Sequence, residues 1–162
     1  MRLIEPGDWD RIGEIEAAEY GARGLAEGRE LLKSRWGKET SFVLESEGRV
    51  DGYVIALPYP LDTGPDPAIA ERVVHRSSNL HLHDIVVSEE LRGRGWAGRM
   101  TGRLVERARR SGYQRISLVA LGGVTGFWAG QGFESRPDVP LPDGYGPGAV
   151  YMSRVIADEE RA

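Results

Sequence analysis

The seven residues Arg92-Gly93-Arg94-Gly95-Trp96-Ala97-Gly98 constrain this chain more than any other stretch. They join a strand predicted over Leu80 to Val87 to a helix predicted to run on to Ser111. That helix places Trp96, Met100, Leu104 and Ala108 at spacings of four, with Arg99, Arg103, Glu106 and Arg110 on the opposite face. Glycine has no Cβ, so backbone here can approach a ligand closely and adopt positive φ. The helix opens with N–H groups that lack internal partners and carry partial positive charge. A glycine-rich turn feeding such a helix end is a seat for phosphate.

The surrounding pattern gives the rest of the fold. Arg2-Leu3-Ile4 reads as a short strand, broken at Pro6-Gly7-Asp8, with Asp8 as a helix N-cap. Trp9, Ile12, Ile15 and Ala18 share one helical face. A second helix is expected over Ala26 to Trp36, stopped by Gly37. Ser41 to Glu45 and Arg49 to Leu57 form a hairpin around Ser46-Glu47-Gly48. Pro58 to Asn79 is a long loop, with a short helix expected at Ala68 to Val74, and loops of that length often wall a substrate site. Arg115 to Leu121 is a buried strand, Val124 to Gly130 a short helix, Phe133 the start of a strand and Ala149 to Ile156 the last one. The order β-α-α-β-β-β-α-β-α-β-β predicts an α/β (α+β) domain. Its twisted, mixed but mostly antiparallel sheet should have six to seven strands flanked by four helices. We read residues 1–162 as one domain, with a frayed tail over 155–162.

Composition narrows the partners. The net charge of −4 predicts no bulk attraction to nucleic acid or to an anionic membrane. The absence of cysteine removes disulfides, thiolate nucleophiles and thiolate metal sites together. Met1 to Asp8 has no apolar run, so no signal peptide is expected, and no stretch is long and apolar enough to span a bilayer. The expectation is a cytoplasmic protein that uses no metal.

Three phosphate-binding patterns compete for the turn. A P-loop needs a Gly-Lys-Ser/Thr that the chain lacks. Gly93-x-Gly95-x-x-Gly98 fits a dinucleotide fingerprint by spacing, but the strand that follows, Arg115-Ile116-Ser117-Leu118, carries no acidic partner for a ribose. The third pattern is Arg-x-x-Gly-x-Gly/Ala, met by Arg92 to Ala97 after Ile85-Val86-Val87-Ser88-Glu89-Glu90-Leu91. It resembles the acyl-CoA-binding segment of the GNAT-type N-acyltransferase superfamily. Phe127-Trp128-Ala129-Gly130-Gln131-Gly132-Phe133 is similar to that family's later Phe-Tyr-x-x-x-Gly-Phe segment. The resemblance covers nearly the whole chain. It implies that backbone N–H groups from Arg92 through Gly93, Arg94, Gly95, Trp96 and Ala97 to Gly98 hold the CoA pyrophosphate, with charge added by Arg92 and Arg94. The pantetheine arm would lie along Ile85, Val86 and Val87. Trp96 is bulkier than the family's usual residue and should pack under the helix.

The resemblance also implies where the chemistry lies. His81 and His83 share one face of their strand. They stand where the family keeps its general base, and His81-Leu82-His83 is similar to the paired-histidine segment of arylalkylamine N-acetyltransferases. An alkylamine near pKa 10.4 is only about one part in 10³ neutral at pH 7, a handicap of roughly 4 kcal/mol. Histidine near pKa 6.5 can take that proton. Asp84 should face the other way unless a bulge turns it round, in which case it is a reserve base or orients a histidine.

One position departs from the family. Its usual acid, a tyrosine, is replaced by Trp128, whose indole cannot release a proton. Three explanations stand: the CoA thiolate leaves unaided, another hydroxyl (Tyr145, Tyr151 or Thr125) serves, or the domain only binds. The expected activity is acyl transfer, most simply of acetyl from acetyl-CoA, to a primary amine, most simply a small molecule, in a ternary complex. The alternatives are an inactive acyl-CoA-binding module and an acyltransferase fed by acyl carrier protein. A homodimer is compatible with the family.

Overall fold

Eight consecutive residues, Val50 to Leu57, are buried, on both faces of their strand. A strand buried on both sides needs helices above and below it. The computed structural model, which describes residues 1–157, meets that need. Its elements are β1 (Arg2–Leu3), α1 (Trp9–Tyr20), α2 (Arg29–Ser34), β2 (Phe42–Ser46), β3 (Arg49–Pro58) and β4 (Asn79–Val87). They continue with α3 (Trp96–Arg110), β5 (Arg115–Ala120), α4 (Thr125–Gly130), β6 (Glu134–Ser135) and β7 (Val150–Val155). The seven strands form one sheet in the order β1-β2-β3-β4-β5-β7-β6. Every pairing is antiparallel except β4 with β5.

The alternation of side chains along β2, β3 and β4 divides the core. Phe42, Leu44, Val54, Ala56, Leu80 and Leu82 pack with Met100, Leu104 and Ala108 of α3. Val43, Tyr53, Ile55 and Val86 pack with Trp9, Ile12 and Ile15 of α1 and Leu32 of α2. The apolar stripe of α3 is wider than four residues, because Thr101 and Val105 are also buried. Trp96 packs, half-buried, against the same core, with the Arg99 guanidinium 4.7 Å from its ring centroid.

Several expected boundaries shift, and the causes are tertiary. The second helix was expected from Ala26 but begins at Arg29. The Glu16 carboxylate accepts the N–H groups of Glu27 at 2.7 Å and Gly28 at 3.1 Å, which ties residues 24–28 to α1 as a loop. No helix forms over Ala68 to Val74. Instead, the buried Arg35 donates Nη2 to the carbonyls of Asp66 and Ile69 and pins that segment to the end of α2. Of the expected tail, Ile156 is 1 % exposed and donates its N–H to Gln114 at 2.9 Å, while residues 158–162 lie outside the described residues.

Two features of β4 build the site. First, its register against β3 shifts: Ile55 pairs with Asp84, but the next residue, Ala56, pairs with Leu82. His83 is the extra residue of a bulge, and side-chain parity inverts there. His81, His83 and Asp84 therefore all face the α1 side, and the reading in which Asp84 turns away does not hold. Second, β4 and β5 pair only from Asn79–Arg115 to Leu82–Leu118. Beyond that point the strands part, leaving His83 to Val87 with one edge unpaired by β5.

Candidate active site

A cavity of about 240 Å³ occupies the gap where the two strands diverge. Leu82 to Ile85 form one wall, and Leu118, Val119 and Leu121 the other. Tyr20 and Glu27 close it from the α1 side, Trp128 from α4, and Tyr145 from the loop after β6. The long loop after β3, expected to wall a site, contributes Pro67, while no residue of α2 lines the cavity.

Three ionisable groups dominate the lining. The His83 side chain is 1 % exposed, and its Nε2 lies 2.7 Å from Oε2 of Glu27. Burial, aided by the charge of Arg35, pushes the ring down to about 3, while burial pushes the Glu27 carboxyl up to about 7. Both shifts express the same cause, the cost of holding charge away from water. Asp84 is raised to about 7, also by burial, against the lowering effect of hydrogen bonds donated by Tyr53 at 2.6 Å and Tyr20 at 2.8 Å. Asp84 orients no histidine; both its oxygens go to tyrosines. His81 stands behind this group and does not line the cavity. Its Nδ1 lies 2.8 Å from the Ser117 hydroxyl, which accepts a further hydrogen bond from Asn79 at 2.8 Å, and burial holds its ring neutral.

The glycine turn has the backbone its sequence demands. Gly93 and Gly95 sit at φ +76° and +79°, in the left-handed region that favours glycine. Gly95 is the N-cap of α3, whose first internal bond runs from the Arg99 N–H to the Gly95 carbonyl. The N–H groups from Gly93 to Gly98 donate to no acceptor among the described residues. The Arg92 guanidinium bonds the Val87 carbonyl and the Glu19 carboxylate. Arg94 is exposed.

At the family's tyrosine position, Trp128 is 7 % exposed and packs edge-on against Phe127 and Phe133. Of the alternative hydroxyls, only Tyr145 reaches the cavity wall, and it donates to the Pro65 carbonyl. The Tyr151 hydroxyl accepts the Asp62 N–H at 2.9 Å, and Thr125 begins α4 away from the wall. The residues that sequence reasoning missed are Glu27, Tyr20 and Tyr53. Nothing local marks them, because each meets β4 across a long stretch of chain.

The site thus combines a splayed β4–β5 pair, a cavity beside it and a glycine turn opening α3. A profile of the GNAT acetyltransferase family matches residues 9–133, and the chain belongs to that family. No curated protein sequence matches it. Among solved structures, the GphF GNAT-like decarboxylase in complex with isobutyryl-CoA is similar with a TM-score of 0.80 at 20% identity, over 96% of this chain and 98% of that one. An aminoglycoside 6′-N-acetyltransferase complexed with coenzyme A gives 0.71 at 14% identity, over 96% and 94%. The ribosomal-protein-S18-alanine N-acetyltransferase from Escherichia coli gives 0.68 at 17% identity, over 96% and 92%. At these identities the likeness concerns the fold. Among the described residues, no helix is long and apolar enough to cross a membrane.

Proposed function

We propose that this chain transfers an acyl group from acyl-CoA to a primary amine by direct attack within a ternary complex. The observation that carries the reading is the parting of β4 and β5 beyond Leu82, which leaves a strand edge open beside the cavity. A pantetheine arm can pair along Ile85 to Val87 as an added strand, and a backbone N–H near Val87 can polarise the thioester carbonyl. The open N–H groups of Gly93 to Gly98 are suited to the pyrophosphate. Arg94, exposed and without an ion pair among the described residues, adds charge there, as does Arg92 beside Glu19. A cavity of about 240 Å³ suits a thioester tip with a small amine, and the nucleotide would lie outside it, at the turn.

His83 stands beside the place where the amine must lose a proton, and no cysteine exists for an acyl-enzyme route. Trp128 and the engaged Tyr145 leave the thiolate to depart without a dedicated acid. A thiol near pKa 8.5 is a good enough leaving group for that.

A second reading rests on the similarity to the decarboxylase: loss of CO2 from a carboxylated acyl-CoA. The carboxyl groups of Glu27 and Asp84 on the cavity wall disfavour a third carboxylate there. The test is free-thiol release from acetyl-CoA across a panel of primary amines, with a parallel assay for CO2 release from malonyl-CoA. Amine-dependent thiol release is expected. Tight acetyl-CoA binding without thiol release would leave a binding module, and CO2 release without amine would favour the decarboxylase.

A further inference from the structure

His83 cannot be the proton acceptor alone, because an enclosed ring that stays neutral far into acid is a weak base. Its environment supplies the remedy. Glu27 is anchored through its own N–H to Glu16 at 2.7 Å, and from that fixed point its carboxylate reaches across to β4. Its Oε2 shares a hydrogen bond with His83 Nε2 at 2.7 Å. Oε1 of Glu27 and Nδ1 of His83 are buried and have no hydrogen-bond partner among the described residues, and both residues line the cavity.

We propose that Glu27 and His83 act as one proton-accepting dyad, and that the acceptor enters as a primary ammonium ion docked on Oε1 of Glu27. The proposal rests on the acyl-transfer reading and names the group that recognises the amine.

Charge on the surrounding elements favours a cation. Glu16 and Tyr20 face the pair from α1, His81 and Asp84 from β4, Arg35 from the end of α2, and Glu71 and Tyr145 from the loops; Glu19 and Arg23 also line the cavity, paired with each other at 3.7 Å. Arg35 spends Nη2 on two backbone carbonyls, its Nε and Nη1 have no partner among the described residues, and it forms no ion pair with Glu27 or Asp84 there, so its charge acts on the pair only from a distance. Two carboxyl groups thus meet the cavity with neutral partners, tyrosine hydroxyls and an imidazole. An ammonium ion is the complement they lack.

The proton then has a balanced path. The ammonium N–H donates to Oε1 and passes its proton to the dyad, leaving a neutral amine. The amine lone pair forms the C–N bond as the C–S bond breaks. The departing thiolate takes the second amine proton, and the dyad returns the first to solvent. A proton on the carboxyl and a proton on the ring are two placements within the same singly protonated pair, so the pair has one apparent pKa. Burial of Glu27 assists: transfer from an alkylammonium to a group near 7 is uphill by about 10³-fold, against about 10⁶-fold for an ordinary glutamate.

The test follows the full-length protein by NMR, reading the His83 ring nitrogens and the Glu27 carboxyl carbon against pH. Both should move with a single midpoint near 7, and that midpoint should vanish in Glu27→Gln. n-Butylammonium should bind wild type and lose at least about tenfold affinity in Glu27→Gln, while 1-butanol should bind both alike. Separate midpoints, or unchanged butylammonium binding in the variant, would overturn the dyad. If the variant does not fold, the shared midpoint read in Asp84→Asn, where the neighbouring carboxyl that also lies near 7 is gone, decides by itself. Thiol release with an unaltered pH profile in Glu27→Gln defeats the dyad and leaves acyl transfer standing. Joint titration with butylammonium binding but no thiol release does the reverse.

Discussion

Replacing Asp84 by asparagine should make this protein more stable at neutral and alkaline pH, although the exchange removes a buried, doubly hydrogen-bonded carboxylate. Burial raises the Asp84 carboxyl from 3.8 to about 7. In the unfolded chain it ionises near 3.8. Between those values the folded state keeps a proton that the unfolded state has released, so stability falls as pH rises. The contribution is whole below 3.8 and gone above 7. At about 1.4 kcal/mol per pH unit, the full span amounts to about 4 kcal/mol. Asparagine is neutral throughout, and its amide can accept from one tyrosine hydroxyl and donate to the other, so both contacts at Tyr53 and Tyr20 survive. The two proteins should be nearly equal at pH 4, and the variant ahead by about 2 to 4 kcal/mol at pH 8. In a chain of 162 residues that is roughly 5 to 15 °C in Tm. Urea unfolding followed by circular dichroism at each pH gives the difference directly. A gap that does not change with pH, or a variant less stable than wild type at pH 8, would refute the argument that burial dominates this carboxyl.

Gly95→Val should raise the acetyl-CoA Kd at least tenfold with the fold intact. The position has open space for a side chain but sits at φ +79°, where a non-glycine residue costs about 1 to 2 kcal/mol and the turn would relax out of shape. Calorimetric titration checks it. Gly37→Ala should instead damage the fold. Its Cβ would meet the Ala56 carbonyl oxygen at 2.1 Å and Thr40 Oγ1 at 2.5 Å, crowding the 2.7 Å bond between Thr40 and Ala56. A loss of about 3 kcal/mol or more in denaturant unfolding is expected.

The parts legible in the sequence were those with local causes. The stripe at Met100, Leu104 and Ala108, the glycines of the turn and the two-residue periodicity of the strands each fix their own neighbourhood, and they carried the element order. The site was legible only in part. His83 and the turn announce themselves, but the side on which Asp84 lies depends on a register shift at Ile55 and Ala56, nearly thirty residues earlier. Glu27 reads locally as a helical residue. It becomes a site residue because Glu16 captures its N–H and His83 meets its carboxylate, 56 residues away. Arg92 reads as a phosphate ligand, and nothing near it in sequence shows that its guanidinium also meets Glu19. In each case the deciding partner is distant, and local periodicity carries no information about it.

The proposed activity turns on where an acyl-CoA lies. A crystal structure of the protein soaked with acetyl-CoA should put the diphosphate on the N–H groups of Gly93 to Gly98 and the pantetheine along Ile85 to Val87. The thioester should then sit in the gap between β4 and β5, beside Glu27 and His83. A cofactor bound on another face, or a thioester on the α3 side of the sheet and out of reach of both groups, would contradict it.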